Sequence, residues 1–316
     1  MKELKSLKSM IVPSVGLSVL AIILLSYWSS TFTLHRLDVK YADASERQIT
    51  RKEVMRNYCL THSYKTKPVG RDLEFILVDD ENKIIYCTIP KVSSTTWKRV
   101  LGDLRGLDKN IQKIHSKYLW RWLYQYTEEE RLQRVETYFK FLFVREPLHR
   151  LLSAYKDKFM RRDRKCSEDA RNRIVKAYRP QDYKPNGDYN DINITFAEFI
   201  QYFSNDVPRN EHWRQYEQLC HPCVINYDFI GHLETLEDDA PLLLKMVGTD
   251  DRVTFPPIHK STGSDEVLEY YSQVPIRYIT RLGELYRSDF EIFGYDYLAP
   301  VQPLLNNSEQ TTSFKQ

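Results

Sequence analysis

The sequence is poor in glycine and nearly neutral in net charge, and the shortage of glycine narrows the class of protein that the chain can be. Only 10 of its 316 residues are glycine, and no segment matches the GxxxxGK[ST] phosphate-binding loop. Without that loop and a separate magnesium-binding carboxylate motif, a P-loop kinase acting on a sugar is disfavoured. The formal net charge of +3 excludes no class of partner, so only the distribution of the basic residues is informative.

Long apolar runs are also scarce, and the one long run lies near the N-terminus. Met10–Trp28 is uncharged and, at about 1.5 Å per residue, long enough to cross a bilayer core of roughly 30 Å. Lysines precede it, so the positive-inside rule places residues 1–9 in the cytosol and the chain after about residue 29 in the lumen. N-glycosylation sequons at Asn193 and Asn306 agree with a lumenal location. We therefore predict a single-pass type II membrane protein with a retained signal anchor; a buried core helix is the alternative.

Cysteine is limited to five residues, and the odd number leaves at least one without a partner in the chain. A single C-x-x-C, Cys220 to Cys223, is weak evidence for zinc, and a thioredoxin-like site would need a different strand and helix context. Structural disulfides in the lumen are favoured, with the pairing left open. Cys87 stands inside an apolar strand-like run, so we predict that it is a buried free thiol.

Secondary-structure patterns predict a stem, one α/β domain and a tail. Residues 29–70 are polar with mixed charge and no sustained apolar periodicity, which is typical of a stem. Residues 71–300 alternate strand-like and helical patterns, which predicts a central, mainly parallel sheet flanked by helices. Residues 301–316 are polar and predicted to be a flexible tail. The predicted strands are Phe75–Val78, Ile84–Ile89, Tyr138–Val144 and Tyr227–Leu233, and the predicted helices include Pro147–Met160, Phe196–Phe203 and Pro275–Phe293.

The first candidate binding segment is PKVSSTTWK, which runs from Pro90 to Lys98 where a predicted strand ends and a helix begins. A loop in that position directs backbone N–H groups at an anion, and the helix dipole adds to the attraction. Lys91 adds a cation and the four hydroxyl side chains add donors. An ordinary N-capping cluster is the alternative interpretation.

The second candidate segment is REPLHRLLSAY, from Arg145 to Tyr155. Arg145 follows a predicted strand, and Ser153 lies about two turns into the next helix, so both could reach one further phosphate. Taken alone the segment is weak, because an arginine before a helix is commonly a surface cation and a helical serine commonly bonds a carbonyl of its own helix.

Together the two segments resemble the Golgi carbohydrate sulfotransferases of the HNK-1 and chondroitin/dermatan 4-O-sulfotransferase family. PKVSSTTWKRV is similar to the 5′-phosphosulfate loop of that family, and FVREPLHRLLSAYKDKF to its 3′-phosphate motif. The similarity covers about residues 84–295 and includes the segments NEHW, CHPC, YDFIG and ETLE. Ser94 and Thr96 stand where relatives commonly have Cys and Asn, and both keep a small polar side chain.

The resemblance implies a P-loop-like sulfotransferase fold in the Golgi membrane, with 3′-phosphoadenosine 5′-phosphosulfate as donor and no required metal. It implies that Lys91 lies near the bridging oxygen of the phosphosulfate. The other residues implied for the 5′-phosphosulfate are Pro90, Val92, Ser93, Ser94, Thr95, Thr96 and Trp97, and those implied for the 3′-phosphate motif are Arg145, Arg150 and Ser153.

The general base is most simply a histidine, since its ordinary pKa lies near neutral pH. His115 falls between the two segments in chain order, where sulfotransferases often place their catalytic histidine, and we rank it narrowly ahead of His212 in NEHW. Glu146, beside the donor motif, is a further candidate, and a hydrogen-bonded structural role is the alternative for each histidine.

The acceptor is predicted to be a glycan. The second segment is closest to the chondroitin/dermatan branch, and the basic stretch Lys156–Lys176 suits a polyanion, although a solvated helix face is an equal alternative. We therefore expect sulfation at O4 of N-acetylgalactosamine in chondroitin or dermatan. The alternatives are an HNK-1-type glucuronic acid 3-O-sulfotransferase, an N-glycan N-acetylgalactosamine 4-O-sulfotransferase and a non-catalytic glycan-binding relative. The predicted lumenal position argues against nucleic acid.

Overall fold

A computed structural model describes residues 41–62, 68–107, 114, 116, 118–160, 168–185, 187–189, 192–205, 210–257 and 263–306. The predicted anchor, Met10–Trp28, lies outside these residues, and within them no helix is long and apolar enough to span a bilayer. The chain divides into two compact units, Met1–Arg47 and Gln48–Gln316. In the first unit residues 41–47 are helical, and the second unit contains the sheet.

The second unit is built on a five-stranded mixed sheet with the strand order β3-β1-β2-β4-β5. Neighbours β2, β4 and β5 run parallel, whereas β1 is antiparallel to both β2 and β3. The turn between β1 and β2 is too short for a crossover helix, so this pair can only form a hairpin. The prediction of a mainly parallel sheet is therefore correct for one half of the sheet and wrong for the other. The strands are β1 (Ile76–Asp79), β2 (Ile84–Cys87), β3 (Arg121–Trp122), β4 (Phe139–Val144) and β5 (Phe229–His232).

Each parallel strand is followed in the chain by a helix, as the sequence pattern predicts. A π-helical turn, Lys156–Met160, continues the helix α3 that follows β4. The helices are α1 (Ser94–Leu104), α2 (Glu128–Thr137), α3 (Pro147–Tyr155), α4 (Glu168–Tyr178), α5 (Phe196–Asn205), α6 (Tyr216–Cys220), α7 (Pro222–Ile225), α8 (Leu236–Val247), α9 (Ser264–Tyr271), α10 (Ile276–Leu285) and α11 (Arg287–Phe293).

The core between α1 and the sheet is aromatic. Trp97 of α1 is 1% exposed and packs against Phe141 and Phe143 of β4, with ring centroids 5.2 and 4.8 Å apart. Buried aromatic side chains of this size contribute most of the packing energy of a small core. A second apolar cluster joins α3, α4, α5, α9 and α10, so α3 is anchored along most of its length.

Residues 48–61 are helical and cover the edge strand β5, although the sequence indicated a stem here. Gln48 exchanges two hydrogen bonds of 2.9 Å with the backbone of Ile230, which satisfies both polar groups of that edge residue. Arg51 donates to the same carbonyl and to the fully buried Asp239 at 2.7 Å. Because the buried face is polar, apolar periodicity did not predict this helix.

Two disulfides connect distant segments, Cys87 with Cys220 and Cys59 with Cys223. The prediction of structural disulfides is confirmed, whereas the prediction that Cys87 is a free thiol is wrong. Cys87 ends β2, and the fold brings the last residue of α6 against it with a Cα–Cα distance of 5.7 Å. The fifth cysteine, Cys166, lies outside the described residues.

The described fold continues beyond the predicted domain end near residue 300. Val301 is fully buried, residues 302–306 are helical, and Leu304 and Leu305 pack against the helical core. The first residues of the predicted tail are therefore part of the domain.

Candidate active site

The carboxyl ends of the three parallel strands meet at one edge of the sheet. The register pairs Cys87 with Leu142 and Val144 with His232, so the loops that follow β2, β4 and β5 lie side by side. Open sheets bind ligands at this edge because neighbouring loops diverge there and helix N-termini point at the crevice. Both candidate segments of the sequence are in this position.

The loop after β2 has a backbone suited to an anion. Lys91 and Ser93 both have positive φ, 75° and 63°, which is uncommon for residues other than glycine. Alternating left-handed and ordinary conformations turn successive N–H groups toward one point and form an anion-binding nest. Ser93 is the N-cap of α1, but its side chain makes no capping hydrogen bond. The loop thus obtains its turn from strained side-chain-bearing residues, where a Walker loop uses glycine.

The side chains of this loop divide into two groups. Val92 is fully buried and Trp97 lies in the aromatic core, so these two predicted donor-binding residues hold the loop in place. The backbone N–H of Trp97 is also committed, since it donates to the Ser93 carbonyl at 3.0 Å. The partly exposed members are Pro90, Lys91, Ser93, Ser94, Thr95 and Thr96.

Lys91 lies in a charged cluster completed by the π turn after α3. Its Nζ is 3.1 Å from Oδ2 of Asp157, and the same carboxylate oxygen is 3.3 Å from Nζ of Lys158. Burial alone would raise the pKa of Asp157, but the charges of the two lysines and their hydrogen bonds lower it below its usual value. Asp157 is therefore ionised at neutral pH and holds both ammonium groups.

His212 contributes an imidazole to the same cluster, and its tautomer follows from its contacts. Oδ1 of Asn210 accepts the backbone N–H of His212 at 2.9 Å and lies 2.8 Å from Nδ1. Since that oxygen can only accept, Nδ1 carries the proton and Nε2 keeps its lone pair. Burial, then the charges of Lys158, Lys91 and Arg150, lower the pKa of His212 to about 3. The ring is consequently neutral and Nε2 can accept a proton or a hydrogen bond, but the lowered pKa makes it a weaker base than an ordinary histidine.

Arg150 is fully buried and binds backbone carbonyls. Its guanidinium donates to the carbonyls of Pro90 at 3.3 Å, Arg214 at 2.7 Å and Glu211 at 2.9 Å, and it stacks over the ring of Tyr216. A buried arginine with three such acceptors fixes their relative positions. Arg150 thus connects the loop after β2 to the segment that carries His212.

The loop after β4 is held by Tyr216. The hydroxyl of Tyr216 accepts the backbone N–H of Arg145 at 3.1 Å and donates to the Arg145 carbonyl at 2.6 Å. Arg145 is 4% exposed, and burial lowers the pKa of its guanidinium against the opposing influence of Glu234. Ser153 is partly exposed on α3.

One carboxylate oxygen of Glu146 makes structural hydrogen bonds. Its Oε2 accepts both the backbone N–H and the Nδ1–H of His149, each at 2.7 Å, so it caps α3. That commitment argues against Glu146 as the general base.

Of the residues predicted from the sequence, the structure places Lys91, Arg145 and His212 near this edge of the sheet. The sequence analysis did not single out Asp157 or Lys158. Both stand in the quoted YKDKF segment, yet their orientation depends on a π turn that has no sequence signature. His115 lies outside the described residues.

The basic stretch Lys156–Lys176 is not a uniform surface in its described part. Arg171 is 1% exposed and donates to the carbonyls of Ile192 and Phe159, while Arg173 is exposed and paired with Asp169. Only some of these cations remain for a polyanion.

The fold and the site define an α/β protein with cations, an anion-suited loop and a neutral imidazole at the carboxyl ends of its parallel strands. Comparison with known proteins supplies the family. The family model described as "Sulfotransferase family" matches residues 74–296, and the chain belongs to this family.

Several curated relatives are similar over most of the chain. Carbohydrate sulfotransferase 12 of Mus musculus is 32% identical, with 80% of this chain and 69% of that protein covered. Carbohydrate sulfotransferase 14 of Danio rerio is 38% identical, with 78% and 71% covered. Carbohydrate sulfotransferase 10 of Gallus gallus is 35% identical, with 78% and 74% covered. No solved structure matches. The resemblance stated from the two segments is confirmed at the level of the family.

Proposed function

We propose that this protein transfers a sulfuryl group from 3′-phosphoadenosine 5′-phosphosulfate to a hydroxyl group of a glycan. The observation that carries the proposal is the pair of cationic loops at the ends of adjacent parallel strands, with Lys91 in one and Arg145 in the other. Two separate anion sites fit a donor with phosphate groups at both its 3′ and 5′ positions. The names of the relatives support a carbohydrate acceptor.

The exposed part of the loop after β2 fits the 5′-phosphosulfate. The nest of backbone N–H groups and the uncapped start of α1 supply donors, and Lys91 supplies charge. Arg145 and Ser153 are assigned to the 3′-phosphate. Arg150 is assigned a positioning role, because its donors are bonded to backbone carbonyls.

The bound donor supplies an activated sulfuryl group, and the protein has two tasks. One is to neutralise the charge that grows on the leaving 5′-phosphate oxygen, which we assign to Lys91. The other is to accept the proton of the acceptor hydroxyl as the new S–O bond forms. Nε2 of His212 has a lone pair and is close to the cationic cluster, so we propose His212 as the base among the described residues. His115 remains the second candidate on sequence grounds.

The acceptor we propose is a chondroitin or dermatan chain, sulfated at O4 of N-acetylgalactosamine. The similarity of FVREPLHRLLSAYKDKF to the chondroitin/dermatan branch supports this choice. The HNK-1 type and the N-glycan type are the competing acceptors, and the relatives fall on more than one branch. A non-catalytic relative is disfavoured, since Lys91 and Arg145 are both kept.

The compartment we propose is the Golgi lumen, with the chain anchored by Met10–Trp28. Two disulfides support an oxidising compartment, because such bonds form and persist there and are rare in the cytosol.

Calorimetry on the purified protein tests the donor assignment. We expect adenosine 3′,5′-bisphosphate to bind at least about tenfold more tightly than adenosine 5′-phosphate, since a charge-assisted contact to the 3′-phosphate contributes about 1.5–3 kcal/mol. Equal affinities would remove the case for Arg145 and Ser153, and no binding of either nucleotide would contradict the proposed function.

A further inference from the structure

The charged side chains of the π turn Lys156–Met160 have different partners. Lys156 pairs with Glu266 of α9. Asp157 and Lys158, which follow directly, form the cluster with Lys91. A π turn widens the helix and shifts the direction of its side chains, and such turns occur frequently at functional sites. Here the shift places a cation opposite the loop after β2.

The turn is held by a buried arginine from the next helix. Arg171 of α4 donates to the carbonyl of Phe159 at 2.7 Å, reaches that of Lys158 at 3.5 Å, and lies over the ring of Phe159. These carbonyls lie at the end of α3, where the widened turn makes them available to a hydrogen-bond donor from another helix. Arg171 therefore fixes the backbone of Lys158.

Two lysines of the cluster contact one carboxylate. Nζ of Lys91 and Nζ of Lys158 both lie within 3.3 Å of Oδ2 of Asp157, and their side chains are only 18% and 15% exposed. The buried guanidinium of Arg150, which donates to three backbone carbonyls, adds a further positive charge. Because these cations lie beside the loop after β2, whose backbone suits an anion, the cluster is suited to contact an anionic ligand held by that loop.

We infer that Lys158 is a second cation of the transfer site, which binds the sulfonate oxygens of the donor while Lys91 serves the leaving phosphate oxygen. This inference rests on the proposed function. On donor binding, the two lysines exchange the carboxylate of Asp157 for the phosphosulfate. In the reaction the S–O bond to the 5′-phosphate breaks, the S–O bond to the sugar oxygen forms, and the hydroxyl proton passes to the base. The sulfonate oxygens stay negative throughout, so Lys158 orients them for in-line transfer.

The charge of Lys158 also reaches His212. After burial it is the largest influence that lowers the pKa of this histidine, ahead of Lys91 and Arg150, and Asp157 acts in the opposite direction. Among the described residues, the charged group of Glu211 also faces the ring, with Oε1 3.6 Å from Nδ1. Removal of the positive charge at Lys158 should consequently raise the pKa of His212 toward its ordinary value.

The test compares Lys158→Met with Lys156→Met, a matched change in the same turn. For Lys158→Met we expect kcat to fall about a hundredfold or more. Calorimetry should show that the affinity for adenosine 3′,5′-bisphosphate, which has no sulfonate, changes by less than about threefold. Loss of one charge-assisted contact would change the affinity by more than this. NMR titration of the nucleotide-free protein should show the upward shift of the His212 pKa. Lys156→Met should change none of the three quantities.

Three outcomes would overturn the inference: kcat within a few fold of wild type, equal loss of kcat and of bisphosphate affinity, or the same defects in Lys156→Met. If Lys158→Met does not fold, as judged by circular dichroism, Lys158→Arg replaces it. That variant should retain the low His212 pKa and more than about a tenth of kcat, since the charge is kept; loss of both would also overturn the inference. Failure of the wild-type protein to bind the bisphosphate at all would instead contradict the proposed function.

Discussion

At the scale of the residue, His212 couples the chemistry of the site to pH. Its neutral form is enforced by burial and by the neighbouring cations, with a pKa of about 3 in the donor-free protein. If His212 is the base, kcat/KM for the donor should show no acid limb near pH 6.5, because kcat/KM reports the free enzyme. An acid limb near pH 6.5, unchanged in His212→Gln, would instead favour a base in an ordinary environment, such as His115.

The same shift predicts a pH-dependent stability. The unfolded chain binds a proton at His212 near pH 6.5 and the folded protein does not until about pH 3, so the free energy of unfolding falls as pH drops between these values. Between pH 7 and pH 4.5 the loss from this residue should be about 2–3 kcal/mol. Urea unfolding of wild type and His212→Gln at both pH values measures it. Identical pH dependence in the two proteins would contradict the burial of a neutral imidazole.

Some residues of the candidate site could be predicted from the sequence, and others could not. Lys91 and Arg145 could be singled out because strand ends and helix starts are visible in the pattern of apolar residues, and the family resemblance implied their roles. Arg150 stands in the same motif, yet its bonds to three carbonyls depend on contacts with residues about sixty positions away. No local pattern encodes such contacts, so its positioning role could not be predicted.

At the scale of the element, the helical residues 48–61 stabilise the domain through contacts with β5 and α8. They cover the exposed edge of β5, supply Arg51 to the buried Asp239, and provide Cys59 for a disulfide. A protein that starts at residue 70, the end of the predicted stem, would leave a buried carboxylate without this arginine, which costs about 3–5 kcal/mol, and would lose a bridge that typically contributes about 2–4 kcal/mol.

We therefore expect the fragment 70–316 to unfold at a markedly lower temperature than the fragment 41–316, or to be recovered unfolded. Thermal unfolding followed by circular dichroism compares the two. Arg51→Met in the longer fragment is the point control and should reproduce a large part of the loss. Equal melting temperatures for all three proteins would show that the helix contributes nothing to the domain.

Elements with clear periodicity were predicted closely. The strand predicted at Tyr138–Val144 is β4, Phe139–Val144, and the helix predicted at Phe196–Phe203 is α5, Phe196–Asn205. The predictions that were wrong failed for physical reasons. The helix over 48–61 buries polar side chains, and the pairing of Cys87 depends on how α6 packs beneath β2.

At the scale of the whole molecule, the sheet, its loops and the family relation agree on one reaction. The parallel half of the sheet brings two loops to one edge, the loops present cations and backbone donors for two anion sites, and the family relation supplies the reaction. The choice among glycan acceptors depends on the shape of the region above this edge, and segment resemblance alone supports chondroitin or dermatan.

The most direct test incubates the purified protein with radiolabelled 3′-phosphoadenosine 5′-phosphosulfate and, in parallel, desulfated chondroitin, desulfated dermatan, an HNK-1 precursor glycoprotein and an N-glycan ending in N-acetylgalactosamine. Disaccharide analysis then locates the label. The account predicts label on chondroitin or dermatan, at O4 of N-acetylgalactosamine, and its loss in Lys91→Ala. Label on glucuronic acid, on the N-glycan or at O6 would contradict the acceptor assignment, and no transfer to any acceptor would contradict the central claim that the chain is a carbohydrate sulfotransferase.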